Sequence, residues 1–176
     1  VSLPPYPHYD KLYSRFVRPR HKRLSYAQTA LVFHEAGFRG EALVEMVATS
    51  RPESAGDPQA FLAYVQLPRN PVKRAAFLVA IAALKPAGIG VIKFRSIVKK
   101  LGGKVVDVDI GLGQVKWWWA QETYSMQDLT DPLTNAKLCL GKWKASGFKP
   151  WAANTAGLHV KFMEPARAAC RHLELI

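Results

Sequence analysis

The chain has 176 residues, 49% of them hydrophobic, with 25 Lys and Arg against 13 Asp and Glu, for a formal net charge of +12. This length suits one compact domain with a sizeable core, and the apolar content excludes a wholly disordered protein. The charge points to a polyanion or an anionic surface, so nucleic acid, anionic lipid and bacterial cell wall all fit at this level.

Residues 1–24 are rich in Pro, Tyr and basic residues with no sustained period, and read as an extended arm that docks on a neighbour. Val1 stands where Met would start a chain and no charged-then-apolar signal segment follows, which reads as a processed product or a piece of a longer protein. The domain proper spans 25–176. Ser25 is a natural N-cap for a helix that stops at Gly37. A second helix starts near Arg39, with Ala42, Leu43, Met46 and Val47 on one face. Pro52 should bend or end it, leaving Glu53 at or just beyond its C-terminus.

The block 68–104 has a different character. Two apolar runs, Ala75–Leu84 and Ala87–Ile92, are separated by Lys85-Pro86 and flanked by basic residues. Neither run reaches the roughly 20 residues of a bilayer span. The block reads first as an insertion that packs on the core or on another subunit, second as an interfacial membrane contact, and last as a true span, since 75–92 taken together approaches the needed length if Lys85 and Pro86 are tolerated.

After Asp107 the chain passes through a Gly-punctuated turn, Gly111 to Gln114, into Trp117-Trp118-Trp119. Three consecutive residues on a helix point in three directions, so one or two of these rings belong in the core and at most one, with Tyr124 beside it, near a ligand. Asp131-Pro132 starts a helix that stops at Gly147, residues 148–157 read as a loop, and Glu164-Pro165 starts the last helix. The fold class expected is mainly helical with little sheet.

Cys139 and Cys170 read as buried free thiols, with a bridge as the alternative. His34-Glu35 begins like a zinc-protease helix, but Phe38 occupies the position of the second ligand, and His8, His21, His159 and His172 have no metal spacing. Neither metal nor cofactor is expected. Ser54 has no nearby His to activate it, and the Lys and Arg residues form no recognised nucleic-acid motif.

Three stretches belong together. ATSRPESAGDPQA, DVDIGLGQVKWWW and DPLTNAKLCLGKWKASGFKPW follow one another in an order that resembles the lysozyme-like superfamily, in particular soluble lytic transglycosylases and the related peptidoglycan-cleaving domains of phage tail proteins. The resemblance covers about 25–67 and 105–155 and makes 68–104 an insertion. It implies a lysozyme-like α+β fold and cleavage of the MurNAc–GlcNAc bond of peptidoglycan, with Glu53 as general acid and then base. Burial is what such chemistry asks of a Glu, because only a raised pKa lets it deliver a proton near neutral pH.

The same resemblance implies that Ser54 supports the acid and that Gln114 lies at the base of the saccharide groove, bonding an N-acetyl group or Glu53. It also puts Asp107 where related phage domains carry Asp or Asn, with Asp109 a weaker candidate for the same cleft. The implied setting is a phage virion tail or another extracytoplasmic position at the bacterial wall, with peptidoglycan as substrate and other tail proteins as partners through 1–24 and 68–104. Two other readings stand beside it: a tail or baseplate component that keeps an inactive lysozyme-like scaffold, and a basic nucleic-acid-binding protein, the least favoured.

Overall fold

The computed structural model describes residues 11–176. His8 and the first ten residues of the N-terminal stretch lie outside the described residues. From Lys11 to Phe16 the chain is extended and forms strand β1, which pairs antiparallel with β2 (Phe61–Gln66) of the same chain. β2 pairs in turn with β3 (Lys104–Ile110), and β3 with the short β4 (Val115–Lys116), giving a four-stranded antiparallel sheet in the order β1-β2-β3-β4.

Strand alternation sorts the residues into two faces. Phe16, Phe61, Ala63, Val65, Val108, Ile110 and Val115 are buried in the core. The opposite face carries Arg15, Tyr64, Asp109 and Lys116. Polar side chains on a sheet face are ordinary when that face meets water, but Asp109 and Lys116 are not exposed.

Helix ends follow local chemistry. α1 (Tyr26–Ala36) opens with a capping box, the Ser25 hydroxyl accepting from Gln28 N–H while the Gln28 side chain accepts from Ser25 N–H, and closes at Gly37 with φ +118°. α2 (Gly40–Ser54) runs through Pro52, contrary to the expectation that this residue ends it. A proline removes the N–H that would bond the Ala48 carbonyl, and the helix end is held by bonds elsewhere: Arg15 Nη1 donates to the Pro52 carbonyl at 2.7 Å, and the hydroxyls of Ser50 and Ser54 donate to the carbonyls of Val47 and Ser50. Glu53 therefore sits inside the last turn.

The segment between β2 and β3 forms α3 (Pro71–Leu84) and α4 (Val91–Lys100). These two helices stand between adjacent paired strands, where a short turn would suffice. α4 packs through Phe94, whose ring centroid lies 4.7 Å from Phe16 and 5.2 Å from Phe61. Truncating so buried a ring would cost about 3–5 kcal/mol.

Beyond β4 come α5 (Trp117–Ala120), α6 (Pro132–Ser146), α7 (Ala152–Thr155) and α8 (Met163–His172). α6 starts and stops where Asp131-Pro132 and Gly147 suggest. The stretch 148–157, expected to be a loop, contains the single turn α7, anchored by the buried Trp151. α1, α2, α6 and α8 pack on one another around Phe33, Phe38, Leu43, Met46 and Cys139. Both cysteines are free and buried. The fold is thus mainly helical with a small antiparallel sheet.

Candidate active site at the end of α2

Hydrogen bonds draw the three sequence stretches to one point. Ser54 Oγ lies 3.0 Å from the Leu112 carbonyl as well as 2.9 Å from that of Ser50, so its single proton is shared between the helix end and the Gly111–Gln114 turn. Asn135 of α6 is fully buried and holds the same turn from the other side: its Nδ2 donates to the carbonyls of Ile110 and Leu129, and its Oδ1 accepts from Gly113 N–H. Trp151 Nε1 donates to the Gly113 carbonyl at 2.9 Å.

Both glycines of the turn are required by this closeness. At Gly111, φ is +82° and a Cβ would strike the Asn135 side chain; at Gly113 a Cβ would strike Cys139 Sγ. They are turn glycines, and the turn makes no phosphate cradle. Gln114, at φ +48°, donates from Nε2 to the carbonyls of Gly111 and Ala60, while its Oε1 is buried with no hydrogen-bond partner. Its amide hydrogens close the turn, and no bond joins it to Glu53.

Glu53 is 8% exposed. Its Oε1 accepts a hydrogen bond of 3.1 Å from Ala153 N–H in α7, and Arg15 Nη2 lies 3.9 Å from Oε2. Burial pushes its carboxyl above the ordinary value and the nearby Asp109 adds to this, against the opposing pull of the Ala153 N–H and the Arg15 charge. A carboxyl so placed holds its proton to a higher pH than an exposed Glu and still has partners waiting for the anion.

Asp109 and Asp107 divide differently from the sequence expectation. Asp107 is 3% exposed and spent on structure: Oδ1 accepts from the backbone N–H groups of Val108 and Trp118, and Oδ2 from Lys116 Nζ. Asp109 is the carboxylate that Glu53 feels. Its Oδ2 accepts from the Tyr64 hydroxyl at 2.5 Å, and Lys116 Nζ stands 3.2 Å from Oδ1, close in charge but out of hydrogen-bond alignment. Burial raises the Asp109 pKa too, opposed by Tyr64 and Lys116.

Tyr124, expected near ligand, packs half-buried against the core. Trp117 also packs there, while Trp118 and Trp119 are exposed. Lys142 Nζ lies 3.7 Å over the Trp119 ring, and burial lowers its pKa to about 8. These two residues line a hollow of about 300 Å³ with Ala145, Ser146 and Pro150. A second cavity, about 390 Å³, is bordered by Arg20, Arg23, Ser25, Tyr26 and Arg51, and neither Glu53 nor Gln114 lines it.

Asp57, the other acid of the 51–61 stretch, is fully buried. Its carboxylate accepts from Arg18 Nε and Nη2, from Arg18 N–H and from Gln59 N–H. It ties the N-terminal stretch to the α2–β2 turn and plays no part at Glu53. Sequence reasoning missed Arg15, which sits in the stretch without period, and Ala153, which acts through its backbone; the strand-like alternation of KLYSRF was the available signal for the first. Among the described residues no three His, Cys, Asp or Glu are grouped to hold a metal ion.

Comparison with protein-family models, with curated proteins and with solved structures finds no match for this chain.

Proposed function

We propose that this protein cleaves the MurNAc–GlcNAc bond of peptidoglycan, on a lysozyme-like scaffold, with Glu53 as general acid and then general base. One observation carries the reading: a buried carboxyl with a raised pKa stands in the last turn of a helix, where three distant stretches of chain are bonded together. The order of those stretches is the one that resembles lytic transglycosylases.

Glu53 Oε1 is occupied by Ala153 N–H, so Oε2 carries the proton to the leaving glycosidic oxygen. The carboxylate left behind is stabilised by that same N–H and by Arg15, while its burial keeps it basic enough to take up a proton in the second step. Retaining hydrolysis would need an ionised partner carboxylate as nucleophile. Asp107 is engaged with two backbone N–H groups and Lys116, and Asp109 with the Tyr64 hydroxyl and the Lys116 ammonium. This favours the route needing one carboxylate, in which Glu53 takes the proton of the sugar's 6-hydroxyl and a 1,6-anhydro product forms. The net charge of +12 suits an anionic wall, and the setting we propose is a phage tail or another position outside the bacterial cytoplasm.

A second reading has one observation in its favour. The Arg15–Glu53 contact also suits a tail component that keeps the scaffold without the reaction. Digestion of purified peptidoglycan by the wild type and by Glu53→Gln, with mass analysis of the muropeptides, separates the two. Anhydro-MurNAc ends that disappear in the variant support the transglycosylase; reducing ends would make it a hydrolase. A folded wild type that yields no Glu53-dependent product on walls from several hosts would leave the scaffold reading.

A further inference from the structure

The helix α3 is apolar nearly all round. Phe77 and Ile81 face the core, with Arg74, Ala80 and Leu84 half-buried beside them. The other side presents Val72, Ala75, Ala76, Val79, Ala82 and Ala83, a stripe at helical spacing. Val72 is 78% exposed and Val79 72%; Leu78 adds 39% and, on α4, Ile92 adds 49%. A helix with this composition is expected to be covered on both faces.

The surrounding charge is of one sign. Residues 68–104 hold nine of the chain's Lys and Arg and none of its Asp and Glu. All six lysines of the block, Lys73, Lys85, Lys93, Lys99, Lys100 and Lys104, are exposed. Lys73 of α3 and Lys100 of α4 border the same shallow hollow, so the two helices present one basic surface.

From these observations we infer that α3 and α4 dock on the surface of an anionic phospholipid bilayer, with the Val72–Val79 stripe inserted among the acyl chains at the headgroup boundary and the lysines on the phosphates. Aliphatic side chains flanked by lysines are the pattern of interfacial helices, and long lysine stems lie along apolar surface while their heads reach the lipid phosphates. Three other occupants fit less well. Protein interfaces are rich in aromatic residues and poor in Lys, whereas the block's two aromatic side chains, Phe77 and Phe94, are in the core. A second copy would set like charge against like charge. Nucleic acid would match the lysines and leave the valines unexplained. The helix lies on the bilayer and does not cross it: no helix among the described residues is long and apolar enough to span a membrane. The inference is independent of the reaction proposed for Glu53.

The test is flotation of the full chain with vesicles of phosphatidylcholine alone and with about one third phosphatidylglycerol. The chain should float with the anionic vesicles and weakly, if at all, with the neutral ones. The double variant Val72→Asp, Val79→Asp changes two exposed positions and should fold as the wild type does, as circular dichroism will show, while its vesicle affinity drops on the order of tenfold or more. No association with anionic vesicles overturns the inference. So does association that the double variant leaves intact, since that would be charge attraction alone. Vesicles left unbound while duplex DNA is bound in a lysine-dependent way would assign the surface to nucleic acid instead.

Discussion

The backbone N–H of Ala153 donates to Oε1 of Glu53 across 3.1 Å and a hundred residues of sequence. It ties Oε1 to a one-turn helix held by Trp151 and leaves Oε2 toward Arg15.

Because burial raises the Glu53 pKa, the folded protein keeps a proton that the unfolded chain releases at the ordinary value. Between those two values the unfolded state binds fewer protons, so stability falls as pH rises through that window. Glu53→Gln removes the penalty. Its Tm should exceed the wild type's by a few degrees at neutral pH, and the difference should vanish in acid, below the ordinary carboxylate value. Thermal unfolding across pH checks this, and a variant less stable than the wild type at neutral pH would contradict it.

Asn135 satisfies three buried backbone groups at once, the carbonyls of Ile110 and Leu129 and the N–H of Gly113. Asn135→Ala leaves all three without a partner and should cost about 3–5 kcal/mol. Asn135→Asp should be as damaging, since it aims an acceptor at two carbonyl oxygens. Urea unfolding should show a lowered midpoint with little change in slope.

Arg18 places both Nε and Nη2 on Oδ1 of Asp57, a carboxylate with no exposure. Arg18→Ala strands that charge and should destabilise the chain by about 3–5 kcal/mol. Arg18→Lys should recover little of it, because an ammonium on a shorter, unforked side chain cannot reproduce the two bonds that converge on Oδ1. Chemical denaturation of both variants decides the point; full recovery by Lys would mean that only the charge matters.

Lys142 should titrate near pH 8, well below an ordinary lysine, because burial disfavours its ammonium form. The folded state then sheds this proton before the unfolded state does, so stability contributed at this site rises with pH from about 8 toward the usual lysine range. Carbon-13 NMR of labelled lysines should find one resonance with that midpoint, absent in Lys142→Met and shifted in Trp119→Ala.

Helix limits were legible because their causes are local. Ser25 with Gln28, Gly37, Asp131-Pro132 and Gly147 set caps through groups within a few residues of one another. The exception at Pro52 is instructive, since what takes its carbonyl is Arg15, 37 residues away. The three stretches around Glu53, Gly111–Gln114 and Asn135 could be picked out as strings, yet nothing local in them says that they touch.

By itself the sequence determined the mainly helical class, the helix caps, the strongly basic, acid-free character of the block 68–104, and the identity of the turn glycines. The tertiary structure alone decided that residues 11–16 become the edge strand of the sheet, that Asp109 and not Asp107 shares its charge with Glu53, and that Ala153 holds the acid. The physical reason is one of range: caps and turns are settled by neighbours along the chain, whereas burial, charge coupling and strand pairing depend on groups brought together only when the whole core closes.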